Sequence, residues 1–565
     1  MSLDRIPLII GITGHRELHS EDVARVEEQL RKFFEGLQKK FPHTPLLLLS
    51  SMGEGADRLA ARIAVETPGV SLAAVLPWPK GVCEDAWYRG GDRAEFDAVL
   101  ANAAHTICLP HPAESTAAEL CASPEVQQKR FADVSRYITR HCQILVAIWS
   151  GEESPRSQTW QVIQWQRNGT DAPFAARLTH LDSPETGPLH HLAVRGGAPT
   201  AKPSKQEEAR YQAFQQMAGN FDRFNADTLK LGAKLEAGMA NTRRYVFPED
   251  EQSALPKHLQ FLLSRFAQAD QLAVHWQKKS LRVLFVTFSM IFLTVASFEG
   301  YAHVMPDSMF MLVAYPLLLA TGLAYVWWTR RQRCYNRYLD DRALAEAMRV
   351  HLFWKLAGVR ENAADFYLRT CRSQLDWIRA ALRSWSLQSG EHDCGCPTAA
   401  GATLSPAALK QICRRWMRDQ LRFFRKNTKR DHRNAEYFHI RSKVCLRISM
   451  AGILIQLGRL YFVQQEHLGH DKMTHLLIIV IAMGGLLAGL FHEYAEKRLF
   501  EKQSRSYQWM AALYKTALIR FLVLAKEGRA KDICDLMREL GREALAENAD
   551  WVIYHREQEP EMKGH

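Results

Sequence analysis

The chain of 565 residues is poor in the signatures that would assign a function at once. Its 11 cysteines are scattered, and only Cys394 and Cys396 stand close together, as Cys-Gly-Cys. With no second Cys or His pair at ligand spacing, zinc is not expected there. The segment His-Glu-Tyr-Ala-Glu at His492 lacks the second histidine of a zinc-protease helix. No cleavable leader is visible either: Met1 to Arg5 is followed by a short strand-like run, IPLIIGIT, which turns at once into GHRE. Insertion into a membrane would then rest on internal segments, and no metal or cofactor is expected.

Four long stretches are nearly free of charge. Leu281 to Ala296 and Met309 to Trp328 carry only Arg282, at the very start of the first. Each approaches the ~20 apolar residues that cross a hydrocarbon layer as a helix. Soluble helices rarely stay apolar all round for such a length. The connection, Ser297 to Ser308, holds Glu299 and Asp307 but no Lys or Arg, whereas Lys278, Lys279, Arg330, Arg331, Arg333 and Arg337 flank the pair. Val444 to Val463 and His475 to Leu490 repeat the pattern, weakened by Arg459 within the third run and Lys472 in its loop. By the positive-inside rule the chain crosses four times, with residues 1–278, 330–442 and 495–565 in the cytoplasm. Pro316 in the second span is tolerated in a membrane helix. The expected location is the inner (cytoplasmic) membrane, multi-pass, with both termini cytoplasmic. The two hairpins look like a repeat, since Arg282 and Arg447 open corresponding spans 165 positions apart.

Mean hydropathy is only −0.25, so the spans are diluted by a large polar remainder. Net charge is +12, and most of it is local. Lys410 to Arg447 holds 13 Lys and Arg against 3 acids, a surplus of 10. This basic helix, with Trp416, Phe423 and Phe424 interleaved, stands just before the third span. Attraction to anionic headgroups is the usual meaning. An oligonucleotide groove needs the same ingredients, and a solvated face needs no partner at all.

The first 200 residues alternate strand, turn and helix: Ile6 to Thr13, Pro45 to Ser50, Val70 to Leu76, Ala104 to Leu109, Ile144 to Trp149 and Leu189 to Val194 are strand-like. This predicts a doubly wound parallel sheet with its ligand beyond the carboxyl ends of the strands. Two of those ends are chemically loaded. In GITGHR, Gly14 lets backbone amides approach a phosphate, Thr13 offers a hydroxyl, and His15 and Arg16 follow. In SSMGEGADR, Gly53 and Gly55 do the same at a helix N-terminus, where the dipole favours an anion. Neither turn is a Walker loop or a GxGxxG fingerprint. Glu54 and Asp57 either bond ribose hydroxyls or cap the helix. Taken singly, each glycine turn is ordinary turn chemistry; two at successive strand ends favour a nucleotide pocket.

The series GITGHR, SSMGEGADRL, LPWP, WYRGGDRAEFDAVLANA and HCQILVAIWSG resembles the prokaryotic branch of the SLOG superfamily. That superfamily includes the nucleotide-sensing region of TRPM channels, LOG enzymes and DprA proteins. The resemblance covers roughly Ile6 to Gly197. It implies a Rossmann-like pocket for a nucleotide or its derivative, with Thr13, Gly14, His15, Arg16, Ser51, Gly53, Glu54, Gly55, Asp57, Arg58, Trp149, Gly151 and Thr159 as candidate ligand-binding residues. After ILVAIWSG, however, relatives carry a glycine-rich turn and LOG hydrolases a PGGxGTxxE signature. Here the chain reads EESPRSQTWQVIQW, with Thr159 standing in for the family threonine, so hydrolysis is not expected and no catalytic residue is assigned. The tail ENADWVIYHREQEP, with Trp551, His555, Arg556 and Pro560, resembles the end of SLATT domains, two-span modules found beside SLOG sensors in bacterial conflict systems.

Together these readings predict a sensing domain at 1–250 and a first hairpin with cytoplasmic helices at 251–389, its spans at about 281–298 and 309–329. A linker follows at 390–404. A basic helix, second hairpin and C-terminal helices occupy 405–565, with spans at about 444–463 and 474–492. The expected fold is α/β, a Rossmann-like doubly wound parallel sheet, followed by an all-α membrane region of four spans with long cytoplasmic helices. The resemblance implies a membrane effector gated by a nucleotide-derived small molecule or short oligonucleotide, acting as an ion channel or membrane-disrupting pore in antiphage defence. Its expected partners are the lipid bilayer, further copies of itself, as in a tetramer, and a nucleotide-signal synthase. The alternatives are a membrane-tethered LOG-type phosphoribohydrolase, an oligonucleotide-regulated membrane protein using 410–447, and a passive anchor.

Overall fold

The computed structural model describes residues 5–79, 82, 93–109, 123–154, 157–170, 187–194, 204–367, 372–389, 405–462 and 472–557. The Cys394–Cys396 pair, the Trp87 to Asp92 part of the family-like motif, Arg195 to Gly197 and Pro560 lie outside the described residues. The chain divides into two compact units: Met1–Asp270 with Leu344–Leu404 and Gly541–Ala546, and Gln271–Ala343 with Ser405–Leu540 and Glu547–His565. Two of the divisions fall within helices, at Asp270–Gln271 and Ala343–Leu344.

The first unit is built on six strands: β1 (Leu8–Gly14), β2 (Leu46–Ser50), β3 (Val70–Leu76), β4 (His105–Cys108), β5 (Ile144–Trp149) and β6 (Leu189–Ala193). All pairings are parallel, in the order β4-β3-β2-β1-β5-β6. Strands buried on both faces read as continuous apolar runs rather than alternating ones. The intervening helices are α1 (Ser20–Lys40), α2 (Ala56–Glu66), α3 (Arg93–Ala101), α4 (Pro124–His141) and α5 (Gln158–Asn168). Val134, Tyr137 and Ile138 of α4 and Val162 of α5 pack with Ile9, Leu47, Leu49, Val75 and Leu145 on one face. Since successive side chains alternate across a strand, α2, which touches β1, β2 and β3, covers the other.

Helix α6 (Lys205–Val246) starts with a capping box in which Ser204 and Glu207 exchange bonds. It also completes the sheet. The Asn225 amide, fully buried, accepts from the Ile6 amide (2.8 Å) and donates to its carbonyl (2.9 Å), satisfying backbone just before β1. A short helix, α7 (Glu249–Ser253), leads to α8 (Lys257–His303). After α9 (Met309–Gln332), the chain returns to this unit within α10 (Cys334–Leu356), at Leu344, and continues in it as α11 (Arg372–Gln388). There Trp385 meets Phe224 edge to face, Ser384 receives the Gln143 side-chain amide (3.2 Å), and Leu387 joins the sheet-face cluster. Asp365 lies between Arg140 (2.8 Å) and Arg383 (2.9 Å).

The second unit is helical. After α12 (Pro406–Gln411) comes one widened π turn (Ile412–Met417), then α13 (Arg418–Phe462), α14 (Lys472–Lys497), α15 (Phe500–Lys526) and α16 (Ala530–Glu557). Among the described residues, four helices are long and apolar enough to cross a membrane, lying within Lys257–His303, Met309–Leu356, Pro406–Tyr461 and Lys472–Lys526. Their large side chains stand exposed, Phe285 at 73% and Phe310 at 77%. A water-soluble surface does not carry apolar area on this scale.

The α13–α14 pair is held by small residues. Ser449 donates to the Ile481 carbonyl (2.7 Å), Ser442 to that of Ala488 (2.9 Å), and a Cβ at Gly452 would stand 2.9 Å from Ile481. Close backbone approach with hydroxyl bonds is how apolar helices associate without a hydrophobic drive. The same device ends both hairpins: Arg333 and Leu499, 166 positions apart, adopt the left-handed conformation between a span and the helix after it. At the C-terminus, Trp551 meets Tyr338 edge to face and Arg556 pairs with buried Asp340. His555 donates from Nδ1 to the Trp551 carbonyl (2.7 Å), leaving Nε2 to accept from Gln503 (2.8 Å), and burial pulls its pKa down to about 4.

Candidate functional site

The chain moves outward from β1 through β2, β3 and β4, then resumes on the other side with β5 and β6. The reversal lies between β1 and β5, and it is beyond the carboxyl ends of strands at such a point that open parallel sheets hold ligands.

Three turns meet there. The Ile148 carbonyl of β5 accepts from the His15 amide (3.1 Å), while the His15 carbonyl accepts from Ala56, the first residue of α2 (3.0 Å). His15 Nε2 accepts from the Ser150 amide (3.0 Å) and lies 3.1 Å from its hydroxyl, which fixes the proton on Nδ1. Glycine is required at two positions. A Cβ at Gly14 would stand 2.5 Å from that of Ala56, and one at Gly55, whose φ is +78°, only 2.0 Å from the Arg16 carbonyl oxygen. Met52 also sits in the left-handed region, at φ 60°, a strained position for a residue with a side chain.

Asp57 is the electrostatic centre. Its Oδ2 accepts from Ser51 Oγ (2.5 Å), and the Gly53 amide donates to the same hydroxyl (3.2 Å). Its Oδ1 is enclosed with no hydrogen-bond partner, as is Glu54 Oε1. Burial raises the Asp57 carboxyl to about 7, against the opposing Ser51 bond and the Arg16 charge. Arg16 is exposed at the rim, its guanidinium 5.8 Å from the Phe131 ring. The N-terminus of α2 has no side-chain cap. The arrangement offers one cation, two unsatisfied carboxyl oxygens and a glycine-lined turn at a helix N-terminus.

The remaining candidates take other places. Arg58 is 4% exposed with its guanidinium over Phe96 (5.4 Å). Trp149 is buried, stacked on Trp160 and beside His191. Thr13 and Thr159 are buried as well, and Gly151, at φ +89°, turns the chain after β5. Ser150 and Phe131 contact the cluster without having been singled out; a hydroxyl next to a glycine turn was the available signal for Ser150. No group of three or more possible metal ligands occurs among the described residues. Comparison with known proteins returns no matching family model, no matching curated protein and no matching solved structure.

Proposed function

We propose that the chain is a membrane-embedded effector gated by a nucleotide-derived ligand at the end of β1 and β2. The observation that carries this is the convergence on Asp57: enclosed carboxyl oxygens of Asp57 and Glu54 lack donors, and Arg16 supplies a cation beside them. A ribose brings hydroxyl donors and a phosphate brings the anion, so one nucleotide derivative answers both needs. The sheet order, with its reversal beside β1, supports a Rossmann-like SLOG reading. The four apolar helices support a membrane location, and the lysine and arginine flanks favour the inner membrane with both termini and the ligand site cytoplasmic.

Gating requires that the ligand bind the open and closed arrangements unequally. Helix α8 runs without a break from Lys257 to His303 and contains the first span, which gives a continuous covalent path into the membrane region. The spans hold few ionisable groups, which favours a crude pore or bilayer disruption by an oligomer over a selective filter. The test uses full-length protein in liposomes with cyclic dinucleotides and ADP-ribose as probes. Leakage dependent on one probe, lost in Asp57→Ala, is the expected result. Binding with no leakage would leave a passive anchor, and release of free base from a nucleoside monophosphate would make it a LOG-type enzyme.

A further inference from the structure

The basic segment before the third span forms one continuous stripe. Arg414, Arg418, Arg422, Arg425, Lys429 and Arg433 are all exposed, at spacings of four, four, three, four and four residues, which is one face of a helix. The π turn sets this register. It turns Ile412, Cys413, Trp416 and Met417 inward together, leaves Arg414 outside, and half-buries Arg415 with its Nε enclosed. Among the described residues none of the six stripe cations is paired; the nearby acid Asp431 is buried and taken by Arg430.

Headgroups cannot serve most of this stripe. Helix α13 runs unbroken from Arg418 to Phe462, and its sequence has no Pro or Gly before Gly452 at which to kink. The apolar run starts at Val444. At ~1.5 Å per residue, Arg433 is roughly 16 Å, Arg422 roughly 33 Å and Arg414 roughly 45 Å below it along the axis. Even a tilt of about 40° leaves Arg422 roughly 25 Å away. The screening length is only ~8 Å.

We infer that the stripe is a docking surface for the phosphate backbone of double-stranded nucleic acid, standing on a stalk clear of the bilayer. Its six cations extend over about 28 Å, and phosphate binding needs little besides such charge. No large apolar side chain is exposed among the described residues between Trp328 and Tyr437, so the apolar anchors of a protein interface are missing. Base stacking is not provided for: Phe424 is buried, and Phe423 lies against Phe424 and Tyr507. The amides of Gln420 and Asn427, which could read base edges, are buried too. Binding is therefore independent of sequence. The inference rests on the membrane reading above but shares no residue with the Asp57 site, so either can fail alone.

The test is fluorescence anisotropy of a labelled 20-base-pair DNA duplex with the full chain in nanodiscs of neutral phosphatidylcholine. With four phosphates neutralised, affinity falls on the order of 100-fold between 50 and 200 mM NaCl. Arg414→Glu/Arg418→Glu/Arg422→Glu loses at least 30-fold, and the corresponding triple lysine variant stays within about threefold of wild type. Absent binding at 50 mM salt, or a glutamate variant that binds normally, overturns the inference. Equal displacement by polyglutamate of the same charge overturns it in favour of an acidic protein. Wild-type binding abolished by phosphatidylserine in the nanodisc returns the stripe to the headgroups.

Discussion

Gly55 lies against the carbonyl of Arg16 so closely that a single added methyl carbon would stand 2.0 Å from the oxygen. The contact locks the end of β1 to the start of α2 and is the tightest constraint on the candidate site. Gly55→Ala is therefore expected to cost more than the ~1 kcal/mol of a wrong-handed alanine alone, and to abolish ligand binding with it. Gly36→Ala, in the middle of α1 with nothing within 4 Å of the new atom, is the control and should stabilise by up to ~1 kcal/mol. Thermal melts of both variants decide the matter; equal behaviour would mean the turn relaxes.

Much of this arrangement was legible in the sequence because it is made of local signals. The strand-like runs coincide with β1 to β6 to within two residues at either end. The glycines at 14 and 55 mark the turns that meet. What was not legible depends on contacts between distant segments. Nothing at Asn225 announces that its amide will satisfy Ile6 from 219 positions away, and no periodicity tells that Ser384 and Leu387 belong beside the sheet. The helical wheel of the basic segment groups Arg415 with its neighbours, but the π turn shifts the register and moves Arg414 to the outer face in its stead.

Asp57 gives the site a pH dependence. An acid whose folded value is raised to about 7, from an ordinary value of 3.8, holds its proton more tightly in the folded state. Its contribution to stability is full below pH 4, declines as pH rises, and has been lost once pH passes 7. Asp57→Asn keeps the acceptor for Ser51 and removes the buried charge. Its melting temperature should exceed that of wild type by several degrees at pH 8 and by little at pH 4. An offset independent of pH would show that Asp57 does not titrate in this range.

Arg16 stands exposed at the rim, and Arg16→Ala should leave the melting temperature nearly unchanged. Loss of a charge-assisted contact to phosphate should weaken binding of a nucleotide probe by about 10- to 100-fold. Titration calorimetry with the probe that stabilises wild type reads the effect. Unaltered affinity would move the anion to the Gly53 to Asp57 turn.

Membrane topology yields to a pair of cysteines. Ser308 would be the obvious outer position, but its hydroxyl accepts from the Met311 amide and caps α9, so substitution there perturbs the helix it reports on. Val304, 58% exposed in the same connection, carries no such role. Val304→Cys should react in intact cells with a membrane-impermeant maleimide if, as the lysine and arginine flanks favour, both ends of the hairpin lie inside. Lys429→Cys, on the exposed stripe of α13, should react only after the membrane is opened. Wild type, whose Cys445 is only partly accessible, supplies the background. Reversed labelling of the two variants would turn the whole chain over and put the Asp57 site outside, where no cytoplasmic nucleotide signal could reach it. Labelling of both in intact cells would mean that α13 and the α8–α9 connection face the same side, and the second span, within α9, would then have to be withdrawn.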